Sequence, residues 1–239
     1  MGIASKIAKL PLLAQKGFNY IFNDKEGLYT EVEVSERVYE YGFVARELLA
    51  GKGEGRPKVL DVGYAFYQNV LMSMIPEMGF EYFGMDRQGF PFAYRNFHHV
   101  TSDAKKAFPF KDNEFDFVLS VSAIEHFGLG GMYGEDEDPQ GDSKAVAEMA
   151  RVAKKGARII ATLPYNGKCS KVFRPAMRVY DEAKIREMFD AGPLKLDKIE
   201  IRLLKGRTYQ EIELEESRQY DFPYAGKATM LALVVSRKV

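Results

Sequence analysis

The sequence is short of the residues that build covalent or metal-linked scaffolds. It has one cysteine, Cys169, and three histidines in 239 residues. A single cysteine cannot form an intramolecular disulfide or a cysteine-based zinc cluster, and so few histidines disfavour a histidine-rich metal site. We therefore expect no bound metal, and the cysteine usage fits a reducing cytoplasm.

Neither sign of charge is in excess, and long apolar runs are missing. Lys and Arg total 34, and Asp and Glu total 34, so the formal net charge is zero. Proteins that grip nucleic acids by their phosphates usually carry a basic excess, so we expect no nucleic-acid partner. No apolar run approaches the roughly 18–20 residues of a membrane span, so no integral membrane segment is predicted.

The remaining pattern is that of an α/β domain. Hydrophobic residues make up 46% of the chain and charged residues 28%, which is typical of a globular domain. Seven strand-like runs alternate with helical patterns, and they span residues 58–63, 81–86, 98–103, 115–121, 157–163, 194–204 and 229–235. This alternation predicts a doubly wound, mostly parallel sheet with helices on both faces.

A helical segment precedes the sheet. Apolar residues recur at helical spacing before the glycines at 51 and 53, and the predicted apolar stripe is Val34, Val38, Tyr41, Ala45, Leu48 and Leu49. We divide the chain into an N-terminal helical cap over residues 1–54 and a ligand-binding domain over residues 55–239.

Acidic residues end three consecutive predicted strands. In doubly wound sheets, ligands bind beyond the carboxyl ends of the strands. Asp61, before the turn at Gly63, can accept hydrogen bonds from a ligand amine, and Gly63 lets the backbone pass close to a ligand. Asp86 can take both hydroxyls of a ribose. Asp103 can hold an adenine amino group. Any one of them alone is better read as a loop-capping aspartate, but three in register favour a ligand site.

With these three acids and the turn at Gly63, the sequence resembles the class I S-adenosylmethionine-dependent methyltransferases. Residues 59–63, 82–86, 102–103 and 108–126 carry the resemblance, which covers about residues 57–190. It implies a seven-stranded Rossmann-like sheet with an antiparallel last strand, and S-adenosyl-L-methionine as cofactor. The cofactor-binding residues that it implies are Asp61, Gly63, Tyr64, Ala65, Asp86, Arg87, Asp103, Ala104, Ser120, Val121 and Ser122.

The turn after the first strand departs from the family pattern. The family usually has D-x-G-x-G-x-G, whereas Ala65 and Tyr67 replace the second and third glycines here. This departure motivates a first alternative, a non-catalytic cofactor-binding or scaffold protein on the same fold. A nicotinamide or nucleotide-sugar enzyme is a second alternative, disfavoured because the G-x-G-x-x-G fingerprint is missing. An RNA methyltransferase is a third, disfavoured by the neutral charge.

Candidate catalytic residues follow the fourth strand. His126, with Glu125 beside it, is placed to deprotonate an acceptor hydroxyl, because histidine titrates near neutral pH. The competing interpretation is a helix-start glutamate and a packed histidine. O-methylation of a small-molecule or carbohydrate acceptor is the preferred function, and a similarity of residues 124–128 to an uncharacterised, polysaccharide-associated branch of the family favours carbohydrate.

Four residues after the fifth strand are candidates for contacting that acceptor. They are Tyr165, Asn166, Arg178 and Tyr180. A surface arginine and a packed tyrosine are equally good interpretations of the last two. Residues 206–227 are expected to form a long aromatic loop over the ligand face, and the alternatives are disorder or a homodimer contact.

Overall fold

A computed structural model describes residues 35–64, 69–88, 94–130, 136–222 and 229–239. All described elements lie in one unit, Ser35–Val239. In chain order they are α1 (Glu36–Gly51), β1 (Lys58–Val62), α2 (Asn69–Glu77), β2 (Glu81–Asp86), β3 (Phe97–Thr101), β4 (Phe115–Val121), a 3-10 turn (Ile124–His126), α3 (Gly141–Val152), β5 (Ala153–Pro164), β6 (Lys171–Phe173), β7 (Met177–Val179), α4 (Glu182–Phe189), β8 (Leu194–Lys205), β9 (Thr208–Ile212), α5 (Leu214–Ser217) and β10 (Met230–Lys238).

The central sheet has the strand order β3-β2-β1-β4-β5-β10-β8-β9. The first five strands in this order pair in parallel, and β10 runs antiparallel to both β5 and β8. The prediction of a mostly parallel, doubly wound sheet with an antiparallel last strand is confirmed. Because the strand order reverses direction between β1 and β4, the carboxyl ends of these two strands flank the topological switch point at which such sheets bind ligands.

In its described part, the sheet contains one strand more than the seven predicted. β9 pairs antiparallel with β8, from Ile201 opposite Ile212 to Lys205 opposite Thr208. The expectation that residues 206–227 form a long loop without secondary structure is therefore wrong for its described part. That part is a hairpin strand followed by the short helix α5.

Helices cover both faces of the sheet. On one face, apolar residues of α3 and α4 such as Val146 and Phe189 pack on alternate strand residues. On the other face, α1 and α2 contribute residues such as Phe43 and Ile75. Strands buried on both sides explain why their sequences read as nearly continuous apolar runs. Within the described part of the chain, no helix has the length and apolar character needed to cross a membrane.

The buried face of α1 agrees only in part with the predicted stripe. Leu48 is fully buried as predicted, but Val38 and Leu49 are 63% and 56% exposed. The other residues that α1 buries are Glu40, Phe43, Val44 and Glu47. The helix is rotated because two glutamates lie on its inner face, where the sheet supplies hydrogen-bond donors, and a hydrophobic pattern counts such residues as exposed.

Candidate active site

The turn after β1 brings two strand ends into contact. Gly63 has a φ of +83°, and its N–H donates to the Met85 carbonyl at 2.8 Å. A Cβ added to Gly63 would lie 2.6 Å from the Cβ of Ala123, which follows β4. Glycine is therefore required by both the backbone conformation and the close approach. The turn is consequently held against the segment that carries Glu125 and His126.

The carboxyl group of Asp61 is buried, and only one of its two oxygens has a hydrogen-bond partner among the described residues. The Tyr82 hydroxyl donates to Oδ2 at 2.6 Å, and Oδ1 has no hydrogen-bond partner among the described residues. Burial raises the pKa of Asp61 to about 7, although the Tyr82 hydrogen bond lowers it and the charge of Asp86 raises it further. An unsatisfied buried acceptor is costly, so this oxygen fits a site that a ligand ammonium completes.

Asp86 and Asp103 lie at the ends of neighbouring strands. β2 and β3 pair in parallel, with Asp86 opposite Thr101, and the Ser102 N–H donates to the Asp86 carbonyl at 2.9 Å. Each carboxylate also caps its own loop, since Asp86 accepts from the Gln88 N–H and Asp103 from the Lys105 N–H. Both side chains are half-buried and so remain within reach of a ligand.

The other predicted cofactor residues differ in how accessible they are. Arg87 is exposed, whereas Ala104 is nearly buried in the core. Tyr64 is fully buried, with its hydroxyl 2.6 Å from His99 Nδ1, so a ligand can meet only its backbone. Ser120 and Val121 are also fully buried, and the Ser120 hydroxyl donates to the Val62 carbonyl. Ala65, like Tyr67 and Tyr224, lies outside the described residues.

Ser122 adopts a conformation that is unusual for a residue with a side chain. Its φ is +44°, in the left-handed region. Its N–H donates to the Thr162 carbonyl at 3.1 Å and to the Thr162 hydroxyl at 3.0 Å. Its own hydroxyl donates to the carboxylate of Glu40. Such a conformation persists only where the surroundings impose it, and here three hydrogen bonds do so.

Helix α1 supplies site residues that the sequence did not reveal. Glu40 is fully buried, and besides the Ser122 hydroxyl it accepts from the Thr162 hydroxyl at 2.8 Å and from Arg37 Nη1 at 2.8 Å. The helix therefore reaches across the carboxyl ends of β4 and β5. Nothing in the local sequence distinguishes Glu40 from an exposed glutamate, because its partners lie 82 and 122 residues away.

Glu125 and His126 form the 3-10 turn after β4. Glu125 is 2% exposed, and its Oε2 has no hydrogen-bond partner among the described residues. Burial raises the pKa of Glu125 to about 8, while a hydrogen bond with its own backbone and the charge of Arg37 lower it. Glu125 is thus a largely protonated, neutral acid at neutral pH.

His126 is anchored in one tautomer. Its Nδ1 lies 2.6 Å from the Ala176 carbonyl, which can only accept, so Nδ1 carries the hydrogen and neutral His126 has its lone pair on Nε2. Nε2 lies 3.8 Å from Glu125 Oε1. Burial lowers the pKa of His126, the Ala176 hydrogen bond raises it, and the charges of Arg37 and Arg178 lower it. His126 is therefore neutral at pH 7, as a general base must be.

Two buried carboxyls predict a stability that falls as pH rises. Since the folded-state pKa values of Asp61 and Glu125 are raised to about 7 and about 8, the folded protein binds more protons than the unfolded chain above about pH 4. Their contribution to stability is complete below the ordinary carboxyl pKa and is lost as pH rises through 7 and 8. We expect the thermal unfolding midpoint to decline by several degrees between about pH 5 and pH 8 in scanning calorimetry. Asp61→Asn should flatten part of the decline, and a midpoint that rises over this range would contradict the assignment.

Tyr165 and Asn166 use their polar atoms within the protein. The Tyr165 hydroxyl lies 3.1 Å from the Ser217 hydroxyl. The Asn166 amide donates to the Cys169 carbonyl at 2.7 Å and to Asp221 Oδ1 at 3.0 Å, and its oxygen accepts from the Phe222 N–H. These bonds tie the end of β5 to the segment after α5, so they favour a structural role.

Arg178 and Tyr180 are buried in the same way. Arg178 donates to the Phe127 carbonyl at 2.6 Å, and its guanidinium lies 3.5 Å from Asp142 Oδ2. The Tyr180 hydroxyl donates to that same oxygen at 3.1 Å. The two side chains therefore brace the backbone that follows Glu125 and His126, rather than presenting their polar groups to an acceptor.

Residues 93–220, more than half of the chain, match the model of a family described as "Caenorhabditis protein of unknown function, DUF268". The chain belongs to this family. The DUF268 match includes Glu125, His126 and Arg178 but begins after Asp61 and Asp86. A search of the curated proteins finds no match to this DUF268 chain.

Solved structures share the fold of this DUF268 protein. The 1,6-didemethyltoxoflavin-N1-methyltransferase of Burkholderia thailandensis, with 1,6-didemethyltoxoflavin and S-adenosylhomocysteine bound, is 12% identical, with a TM-score of 0.58 over 100% of this chain and 92% of that chain. A SAM-dependent methyltransferase from Methanosarcina mazei is 13% identical, with a TM-score of 0.53 over 87% and 99%. The [4+2]-cyclase SpnF is 14% identical, with a TM-score of 0.54 over 88% and 86%.

The comparisons settle the fold. Methyltransferases recur among these structures, so the resemblance to the class I methyltransferase fold is confirmed. At 12–14% identity the likeness extends to the fold alone. The cyclase shows that proteins with this architecture carry other activities, so the fold alone does not define the reaction.

Proposed function

We propose that this DUF268 protein is an S-adenosylmethionine-dependent methyltransferase that methylates a hydroxyl group of a small-molecule or carbohydrate acceptor. The observation that carries the proposal is the turn after β1. There the buried Oδ1 of Asp61, which has no partner in the part of the chain that the structure describes, lies beside the left-handed Gly63 at the switch point of the sheet. The Burkholderia thailandensis enzyme, which has S-adenosylhomocysteine bound, supports the choice of cofactor.

The residues at the strand ends fit the parts of this cofactor. Asp61 would pair with the ammonium group, and the backbone of Gly63 and Tyr64 would approach without a side chain in the way. Asp86 would accept hydrogen bonds from the ribose hydroxyls, and Asp103 with Ala104 would flank the adenine. Arg87, Ala65 and the floor formed by Ser120, Val121 and Ser122 complete the proposed cofactor site.

His126 would act as the general base. When bound, S-adenosylmethionine would supply an electrophilic methyl group to the hydroxyl oxygen, and it would leave as S-adenosylhomocysteine once the carbon–sulfur bond breaks. Nε2 of His126 carries the lone pair that takes the hydroxyl proton, and the Ala176 carbonyl holds the ring in that tautomer. Glu125, neutral and buried beside it, would orient the ring or the hydroxyl. A base matters most for a hydroxyl, because an amine already offers a lone pair.

Tyr165, Asn166, Arg178 and Tyr180 would shape the acceptor side by holding the backbone around it. A helical cap over residues 1–54, a domain over residues 55–239, a homodimer and a cytoplasmic location stay predictions.

The test begins with calorimetric titration of the purified chain. We expect S-adenosylmethionine and S-adenosylhomocysteine to bind in the micromolar range, and NAD⁺ and UDP-glucose not to bind. A screen with methyl-labelled cofactor, beginning with sugars, would then identify the acceptor. Failure of both cofactor forms to bind the folded protein would refute the proposal. Binding of NAD⁺ or the nucleotide sugar would favour a different enzyme class, and cofactor binding without transfer would favour a non-catalytic role.

A further inference from the structure

Helix α1 brings a cation close to the carboxyl ends of β4 and β5. Four candidate site residues at the strand ends carry carboxyl groups, and they are Asp61, Asp86, Asp103 and Glu125. Arg37, at the start of α1, has only 23% of its side chain exposed. A guanidinium in such a place is costly to leave partly unbonded.

Among the described residues, Arg37 makes a single side-chain hydrogen bond. Arg37 Nη1 donates to Glu40 Oε2 at 2.8 Å, and within the described ranges the remaining guanidinium N–H groups have no acceptor. Glu40 cannot take more of them with its other oxygen, because Oε1 already accepts from the hydroxyls of Ser122 and Thr162. Glu40 therefore fixes the position of Arg37 and leaves most of its donors available.

Arg37 and the turn after Asp61 are joined by a chain of contacts. Glu40, which pairs with Arg37, accepts from the Ser122 hydroxyl, and the residue after Ser122 lies so close to Gly63 that an added Cβ would be 2.6 Å away. A guanidinium with open donors, and a carboxyl whose Oδ1 has no partner among the described residues, are complementary to an α-amino acid zwitterion when they lie at the same end of the sheet.

We propose that Arg37 binds the α-carboxylate of the cofactor's amino-acid end, opposite the Asp61 carboxyl that binds its ammonium, with Glu40 as the positioning residue. This inference rests on the proposed function. Arg178, the other guanidinium near Glu125, is unsuited to this task because it is bonded to the carbonyls of Phe127 and Asp138 and paired with Asp142.

Two probes that differ only in the amino-acid end test the inference by calorimetry. S-adenosylhomocysteine carries the carboxylate and ammonium, whereas 5′-methylthioadenosine keeps the adenosine and the thioether but lacks both charges. We expect Arg37→Ala to weaken binding of S-adenosylhomocysteine by about 10- to 100-fold, the range of a charged hydrogen-bonded pair. Binding of 5′-methylthioadenosine should change by less than about threefold, since its contacts lie at Asp86 and Asp103.

Control variants separate a lost contact from a damaged fold. Arg37→Lys keeps the charge without the planar fork, so we expect a smaller loss than with alanine. Arg46→Ala removes another arginine of α1, one that pairs with Glu200 away from the strand ends, and should leave both affinities unchanged. Unchanged S-adenosylhomocysteine affinity in Arg37→Ala would overturn the inference, as would equal weakening of both probes. Failure of the wild-type protein to bind S-adenosylhomocysteine would instead refute the proposed function.

Discussion

Replacing Asp86 with alanine should abolish measurable binding of S-adenosylhomocysteine. A carboxylate that accepts from both ribose hydroxyls makes two hydrogen bonds to a charged group, each contributing about 1.5–3 kcal/mol. Their joint loss corresponds to a drop in affinity of about 10²- to 10⁴-fold, which calorimetric titration would register as no binding. Because the Asp86 side chain is half-buried at the end of β2, a ribose can reach it, and the variant tests the cofactor site directly.

Two variants control for this loss. Asp197 lies on β8, far along the sheet order from β2, and pairs with Arg237 at the surface. Asp197→Ala should therefore bind S-adenosylhomocysteine like wild type. Asp86→Asn keeps an acceptor for the Gln88 N–H and should recover part of the affinity. If folded Asp86→Ala bound S-adenosylhomocysteine as tightly as wild type, the ribose assignment would be wrong.

Replacing His126 with glutamine should slow methyl transfer by about 10²- to 10⁴-fold, the usual contribution of a positioned general base. Glutamine can still donate a hydrogen bond, but it offers no lone pair with the basicity of imidazole. The measurement is the rate of labelled methyl transfer to the acceptor found by the sugar screen, under saturating cofactor. Cofactor affinity should stay unchanged, because the strand-end acids hold the cofactor.

The pH profile distinguishes a catalytic role from a structural one. Because burial lowers the pKa of His126, the wild-type rate should fall only below the ordinary histidine pKa, and the variant should lose this limb. His98 on β3 forms a half-exposed pair with Glu81 and supplies the matched control. His98→Gln should keep both the rate of methyl transfer and its pH profile. If His126→Gln transferred methyl groups at the wild-type rate, His126 would not be the general base.

The sequence predicts well where the strands next to the candidate site end, because strand ends are marked locally. β2 and β4 begin and end where their apolar runs do, at Glu81–Asp86 and Phe115–Val121. Each is bounded by turn residues, and an acid at the end of a buried strand can be recognised without knowing its partners. The positions of Asp61, Asp86 and Asp103 follow directly from this pattern.

β9 and the rotation of α1 escape prediction for different reasons. In β9 only Tyr209 and Ile212 are buried, three residues apart, so the alternation that marks a strand is missing. In α1, Glu40 and Glu47 are buried by partners from β5, β8 and the residue after β4, which no local pattern contains. Polar residues buried by distant partners are invisible to periodicity.

The same limit applies to the predicted acceptor contacts. Arg178 and Tyr180 are the residue types that bind sugars or phosphates, and sequence alone offers no reason to prefer a structural role. Their shared partner, Asp142, lies 38 residues before Tyr180, in the first turn of α3. Only the fold brings these three side chains together, so only the fold could reveal that their polar groups are already paired.

The place of β10 in the sheet constrains the order in which the protein can form during synthesis. β10 follows β8 and β9 along the chain, yet it lies between β5 and β8 and pairs with both. Until β10 has emerged, β8 and β9 have no strand of the growing sheet to pair with and can form only an isolated hairpin, which is marginally stable in water. Amide hydrogens of β8 should therefore gain protection from exchange together with those of β10, and not with those of the five parallel strands.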